Sequence, residues 1–123
     1  MGIERVIHFA KATPEWHRIA AKCIEIGEPA VLRMIDGLPA FPDEVPESEW
    51  QELRLGLAGG MVTLRRVGVS IHCVAWGTAE PTLQQSWDRC VWAVAAAGEG
   101  TIALSDGPSL STSDFQKRFL EEP

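Results

Sequence analysis

The strongest constraint on how this chain folds is a run of residues 52 to 76, in which apolar and polar side chains alternate. The segment ELRLGL places a leucine at every second position, and VSIHCVAW alternates in the same way. A period of two is typical of strands that bury one face. Because Gly59–Gly60 and Val67–Gly68 can turn the chain, we predict a meander of three antiparallel strands over residues 52–76.

One competing interpretation of the start of this run stays open. The segment PESEWQELRL begins with Pro46 and Glu47, which also suit the first turn of a helix. The leucines from Leu53 onward repeat every two residues rather than every three or four. This spacing favours an extended chain from Glu52.

Two helices flank the meander in the sequence. In TPEWHRIAAKCIEIGEP, Thr13 can act as the cap and Pro14 as the first helical residue, and Gly27 can end the helix. The second helix lies in AEPTLQQSWDRCVWAVAAAG, with Pro81 near its start and Gly98 at its end. Other segments follow from alternation and from proline content: strands in residues 3–10, 30–36 and 101–104, a Pro-rich acidic loop at 37–49, and a loop with a C-terminal helix at 105–123.

These elements predict an α+β fold for a single domain of residues 1–123. We expect a two-layer sandwich in which the two helices pack on one face of an antiparallel sheet, with the short C-terminal helix added. A chain of 123 residues is long enough to bury most of its apolar surface in one core.

Charge and hydropathy argue against two classes of partner. The formal net charge is -6, from 17 acidic and 11 basic residues, whereas nucleic-acid binding depends on clustered lysine and arginine. No apolar run approaches the roughly 20 residues that a membrane-spanning helix requires. We therefore expect neither nucleic acid nor a membrane as a partner.

The cysteines and glycines predict neither a metal site nor a cofactor site. Three cysteines without closely paired spacing indicate reduced thiols and a cytoplasmic protein rather than a disulfide framework or structural zinc. The glycines of LAGGMV and AAAGEGTIAL match no phosphate-binding or dinucleotide-binding motif. We expect no metal and no cofactor.

The adjacent residues His72 and Cys73 do not form a catalytic pair. Neighbouring side chains on a strand point to opposite faces, so the imidazole and the thiol cannot meet. Ser70 shares the face of His72, but residues two apart on a strand lie too far apart for a direct hydrogen bond. A triad completed by Glu52 or Asp88 is therefore disfavoured, and we predict no catalytic residues.

One face of the meander is mixed in character and is the first candidate site. Simple register between the three strands places the following residues on it: Glu52, Arg54, Thr63, Arg65, Ser70, His72, Val74 and Trp76. Three interpretations of this face stay open: it is exposed to water as the back of a two-layer domain, it is covered by a partner or second copy, or it forms the floor of a ligand site. An exposed Trp76 would favour coverage by a partner, because large aromatic side chains are enriched at interfaces.

The second helix supplies the other candidate. Its apolar stripe comprises Leu83, Trp87, Cys90, Val91 and Val94, and its other side carries Gln85, Arg89, Trp92 and Ala96. A tryptophan on the polar side needs a partner. Two interpretations remain open: Trp92 lies against Arg89 or under the C-terminal helix, or it belongs to a twofold homodimer contact.

The sequence leads to two hypotheses about function. The first is a non-enzymatic interaction or regulatory module that acts as a homodimer through Trp92, Arg89, Gln85, Ala96 and Trp76. The alternative is a small-molecule-binding protein or minor enzyme in which Arg54, Arg65, His72 and Trp76 hold an anionic ligand on the sheet face.

Overall fold

A computed structural model of the protein describes residues 3–76, 80–104 and 107–120. Within these residues the strands are β1 (Ile3–His8), β2 (Val31–Ile35), β3 (Leu38–Pro39), β4 (Glu52–Leu57), β5 (Gly60–Val67), β6 (Ser70–Ala75), β7 (Thr101–Leu104) and β8 (Gly107–Leu110). The helices are α1 (Trp16–Glu25), α2 (Pro81–Gly98) and α3 (Thr112–Phe115), and α3 continues into a π-helical turn at Gln116–Leu120. We call Thr112–Leu120 the C-terminal segment. The α+β class is confirmed.

The described strands form one antiparallel sheet in the order β3-β2-β4-β5-β6-β1-β7-β8. The predicted meander is confirmed as β4, β5 and β6, and the chain is extended from Glu52 as expected. The N-terminal strand β1 lies between β6 and β7 and pairs antiparallel with both. Residues that face the same side of the sheet are therefore aligned from β4 through β5 and β6 to β1.

Three boundaries differ from the sequence prediction. The N-cap of α1 is Glu15 rather than Thr13, whose hydroxyl instead accepts a hydrogen bond from Arg66 at 3.2 Å. The loops predicted at 37–49 and 105–123 each contain a short edge strand, β3 and β8. Such strands bury little, so their sequences carry no clear alternation. The predicted end of the C-terminal helix, Glu121–Glu122, lies outside the described residues.

Helix α2 is the centre of the molecule. It packs on the sheet through Trp87, whose indole nitrogen donates a hydrogen bond of 3.0 Å to the carbonyl of Cys73 on β6. It also contacts α1 and the C-terminal segment. Neither it nor any other helix of the described residues combines the length and apolar composition needed to cross a membrane.

Trp92, which the sequence places on the side of α2 opposite to Trp87, is buried. Its side chain is only 8% exposed. Asp88, one turn before it, shares a groove with Phe119, and Ala96, one turn after it, shares a groove with Thr112. The C-terminal segment therefore crosses α2 at the level of Trp92, as the first of the two open interpretations states. A helix that is apolar on nearly every side requires cover on more than one side.

The turn between β4 and β5 is fixed against the helices by hydrogen bonds. Ala58 donates its backbone N–H to the buried carboxylate of Glu28 at 2.8 Å, and Gly59 donates to the hydroxyl of Ser86 at 2.9 Å. Arg89 also donates to Glu28, at 3.2 Å. A Cβ atom on Gly59 would lie 2.3 Å from the carbonyl oxygen of Thr82, so only glycine fits this approach.

A cation anchors the C-terminal segment on the helical side of the sheet. Arg5 of β1 forms an ion pair with Asp88 of α2, and its guanidinium lies 4.3 Å from the ring centre of Trp87 and 4.4 Å from that of Phe119. Phe119 stacks on the fully buried Phe115 at 4.7 Å between ring centres. Burial raises the pKa of Asp88 above its ordinary value, because the loss of water outweighs the attraction of Arg5.

We predict that Gly59→Ala destabilises the fold by about 1–3 kcal/mol, because the added methyl group overlaps the backbone of α2. Gly56→Ala, on the preceding strand β4, is the control, since the three atoms nearest to its methyl group would all belong to the flexible side chain of Arg33. Urea unfolding of both variants measures the free energies. Equal stability of the two variants would show that the turn does not contact α2 this closely.

We predict that ionisation of Asp88 opposes folding. Because its folded-state pKa is raised, its contribution to stability is complete below the unfolded pKa of about 4 and is lost as the pH rises through the folded pKa. Relative to Asp88→Asn, the wild type should therefore lose free energy of unfolding as the pH rises from about 4 through the raised folded-state pKa of Asp88. Parallel pH series of urea unfolding measure this difference. A relative gain by the wild type would mean that the ion pair with Arg5 dominates.

Candidate interaction surface on the open sheet face

The side of the sheet that faces away from α1 and α2 carries the residues predicted from the meander. We call this side the open face. Cross-strand register aligns Glu52 with Arg65 and Arg65 with His72, in one row across β4, β5 and β6. A second row aligns Arg54, Thr63 and Val74, and the two rows continue on β1 at Val6 and Glu4. The predicted sharing of one face by these residues is confirmed.

Acidic and basic side chains lie close together at two places on the open face. Arg65 donates to Glu52 at 3.4 Å, and the Nδ1 atom of His72 lies 3.3 Å from a carboxylate oxygen of Glu4 on β1. Arg54 on the second row is exposed. Exposed ion pairs of this kind add little to the free energy of folding. Their main effect is on the distribution of charge over the open face. The open face therefore presents acids and bases side by side.

Large apolar side chains lie beside this charged pattern. Trp76 follows β6 directly and is 53% exposed. Val62 pairs with Ala75, so the antiparallel register brings Met61, which is also exposed, next to Trp76. The expectation that Trp76 lies off the core is confirmed. Exposed aromatic and methionine side chains are typical of interaction sites.

A serine–histidine pair on the open face was not predicted. His8 on β1 aligns with Ser70 on β6, and the Nδ1 atom of His8 lies 2.8 Å from the hydroxyl oxygen of Ser70. Such a pair can transfer a proton, but within the described residues no carboxylate hydrogen-bonds to His8 to orient it. Long-range pairing of β1 with β6 creates the contact, and no local sequence signal could have found it.

The triad considered for His72 is not assembled. Ser70 bonds to His8 rather than to His72, in keeping with their spacing along the strand. Asp88 lies on the helical side of the sheet, in the ion pair with Arg5. His72 is close to Glu4, an acid that the sequence did not single out.

The α2 residues predicted as an interface do not form one free surface. Arg89 is partly covered and bonds to Glu28, and Ala96 is partly buried in a groove shared with α1. Gln85 is exposed beside Phe119 of the C-terminal segment. With Trp92 buried as well, α2 and its neighbours use this side of the helix for internal packing.

The three thiols meet at the junction of α1, α2 and β6. Cys23, Cys73 and Cys90 are all fully buried, as the sequence predicted. Hydrogen bonding to Cys90 and burial raise the pKa of the Cys23 thiol far above its usual range. For Cys90, the bond with Cys23 lowers the pKa, but the bond with Cys73 and burial outweigh it and raise the pKa. The Cys23 and Cys90 thiols therefore stay protonated, and all three buried cysteines pack as small apolar side chains.

The grooves that the structure describes lie elsewhere. The largest, of about 590 Å³, runs between α1 and the end of α2 and is lined by Arg18, Lys22 and small side chains. Four smaller grooves border α1, the N-terminal part of α2, the loops and the C-terminal segment. None of these five is lined by the residues of the ligand hypothesis, Arg54, Arg65, His72 and Trp76.

Comparison with known proteins adds no assignment. No family model matches the chain, and neither a curated protein nor a solved structure matches it significantly.

Proposed function

We propose that this protein is a non-enzymatic interaction or regulatory module that acts as a homodimer through the open face of its sheet. The observation that carries the proposal is the exposed Trp76 beside Met61, on a sheet face that the helices leave uncovered. An antiparallel sheet tolerates water on one face, but tryptophan at that position gains free energy when it is covered.

The charge pattern of the open face favours a second copy as the cover. Glu4 and Glu52 lie on the same face as Arg54 and Arg65. A twofold axis brings the same face of each copy together, so each acid can lie opposite a base of the other copy. A face that carried charges of only one sign would be repelled by the same face of a second copy. The open face carries both signs, so two copies can place opposite charges against each other.

The geometry gives less support to the small-molecule alternative. Ligand sites are concave and enclose most of their ligand, and the described grooves lie away from the arginines of the open face. The serine–histidine pair of Ser70 and His8 lies on an exposed strand surface without an orienting carboxylate. We therefore place protein contact before ligand binding or catalysis.

We predict that Trp76→Ala weakens the dimer on the order of tenfold or more, because a central tryptophan contributes strongly to an interface. Analytical ultracentrifugation over a range of concentrations measures the dissociation constant. Ile24→Ala is the matched control, since Ile24 is a large exposed apolar residue on α1, in the helical layer.

Two outcomes would contradict the proposal. A wild-type protein that sediments as one chain at all concentrations would exclude the homodimer. A dimer that Ile24→Ala weakens as much as Trp76→Ala does would place the contact in the helical layer instead.

A further inference from the structure

The three most exposed large apolar side chains among the described residues all belong to the acidic loop, residues 37–49. Leu38 is 70% exposed, Phe41 75% and Val45 79%. They fall within eight consecutive residues at the β3 edge of the sheet. Isolated apolar residues on a surface are ordinary, but a cluster of this kind marks an interaction site.

The ends of the acidic loop are fixed by buried and charged groups. The carboxylate of Asp36 accepts hydrogen bonds from the backbone of Gln51 and Glu52 at 2.7 and 2.8 Å, which joins the two ends of the loop. Trp50 is buried, and the guanidinium of Arg66 lies 4.8 Å from its ring centre. The loop is thus anchored to the sheet on both sides.

Hydrogen bonds also order the exposed part of the loop. Glu44 donates its backbone N–H to the carbonyl of Phe41 at 3.0 Å, and its side chain accepts from the N–H of Phe41 at 3.3 Å. Arg66 donates to the carbonyl of Ser48 at 2.7 Å. Because the backbone is already ordered, a partner that covers Phe41 and Val45 loses little additional conformational entropy.

The charge around these apolar side chains selects the partner. The loop carries Asp43, Glu44, Glu47 and Glu49, all exposed, and no ion pair joins any of the four to another described residue. The sequence contains no lysine, arginine or histidine between Arg33 and Arg54. Arg66 contacts the loop from β5 but forms no ion pair with these four carboxylates. A covering surface with positive charge therefore complements the loop, and a second copy with a net charge of -6 is poorly suited to supply it.

We propose that the acidic loop docks a basic segment of a different protein, one that also carries apolar side chains to cover Phe41 and Val45. The carboxylates attract the lysines or arginines of the segment, and the two apolar side chains supply contact area. This second surface goes beyond the homodimer, because it uses a loop at the sheet edge rather than the open face.

The test uses a labelled amphipathic peptide of leucine and lysine, with fluorescence anisotropy as the measure of binding. We expect wild-type protein to bind this peptide and to bind a peptide with serine in place of leucine at least tenfold more weakly. The double variant Phe41→Ser with Val45→Ser should lose at least tenfold in affinity without a change in charge. Ile24→Ser, which removes another exposed apolar side chain, should leave the affinity unchanged.

A matched pair of charge variants separates the loop from overall charge. Asp43→Asn with Glu47→Gln and Glu49→Gln should weaken peptide binding and reduce its dependence on salt. Glu25→Gln with Glu80→Gln and Asp114→Asn has the same net charge and should bind as the wild type does. Equal weakening by the two triple variants would overturn the proposal, because binding would then depend on net charge alone.

The outcomes also distinguish this proposal from the homodimer. The loop variants should leave the dissociation constant of the dimer unchanged, and Trp76→Ala should leave peptide binding unchanged. Loss of self-association in Phe41→Ser with Val45→Ser would identify a second copy as the occupant of the loop and would overturn the proposal. Failure of the dimer alone would leave the peptide result standing.

Discussion

The rest of the structure depends on the packing of α2 against the sheet. Trp87 fixes the helix to β6 through the carbonyl of Cys73, and α1 and the C-terminal segment then cover the sides of α2 that the sheet leaves free. The helices that the structure describes, α1, α2 and the C-terminal segment, form one layer on the same side of the sheet. On the opposite side of the sheet Thr63 and Val74 are buried, whereas Trp76, which follows β6, is 53% exposed and so has surroundings very different from those of Trp92.

Local alternation was enough to predict the meander and the sharing of one face by Arg54, Arg65 and His72. A two-residue period assigns each side chain of a strand to one face of the sheet, and pairing without a bulge keeps that assignment from one strand to the next. It was not enough for Trp92. The spacing of apolar residues divides a helix into an apolar and a polar side. It does not show how many other elements of the fold pack on that helix. The apolar residues around Trp92 in VWAVAAAG were the signal that α2 is enclosed on several sides.

Contacts that depend on long-range pairing could not be predicted. Strand β1 lies between β6 and β7, and this placement brings His8 to Ser70, Glu4 to His72, and Arg5 to Asp88. None of these pairs has a local signature. The acidic loop is a similar case. Its composition could be read from the sequence, but the exposure of its apolar side chains depends on how contacts of Asp36 and Trp50 hold the two ends of the loop.

Trp92 is buried and Trp76 is exposed in a single copy, and we propose that a second copy covers Trp76. Hydroxyl-radical footprinting, read residue by residue by mass spectrometry, tests this most directly. We predict that in dilute protein Trp76 is oxidised much faster than Trp92, and that raising the protein concentration protects Trp76 while Trp92 does not change. Equal oxidation of the two indoles in dilute protein, or a Trp76 rate that does not depend on concentration, would contradict the account.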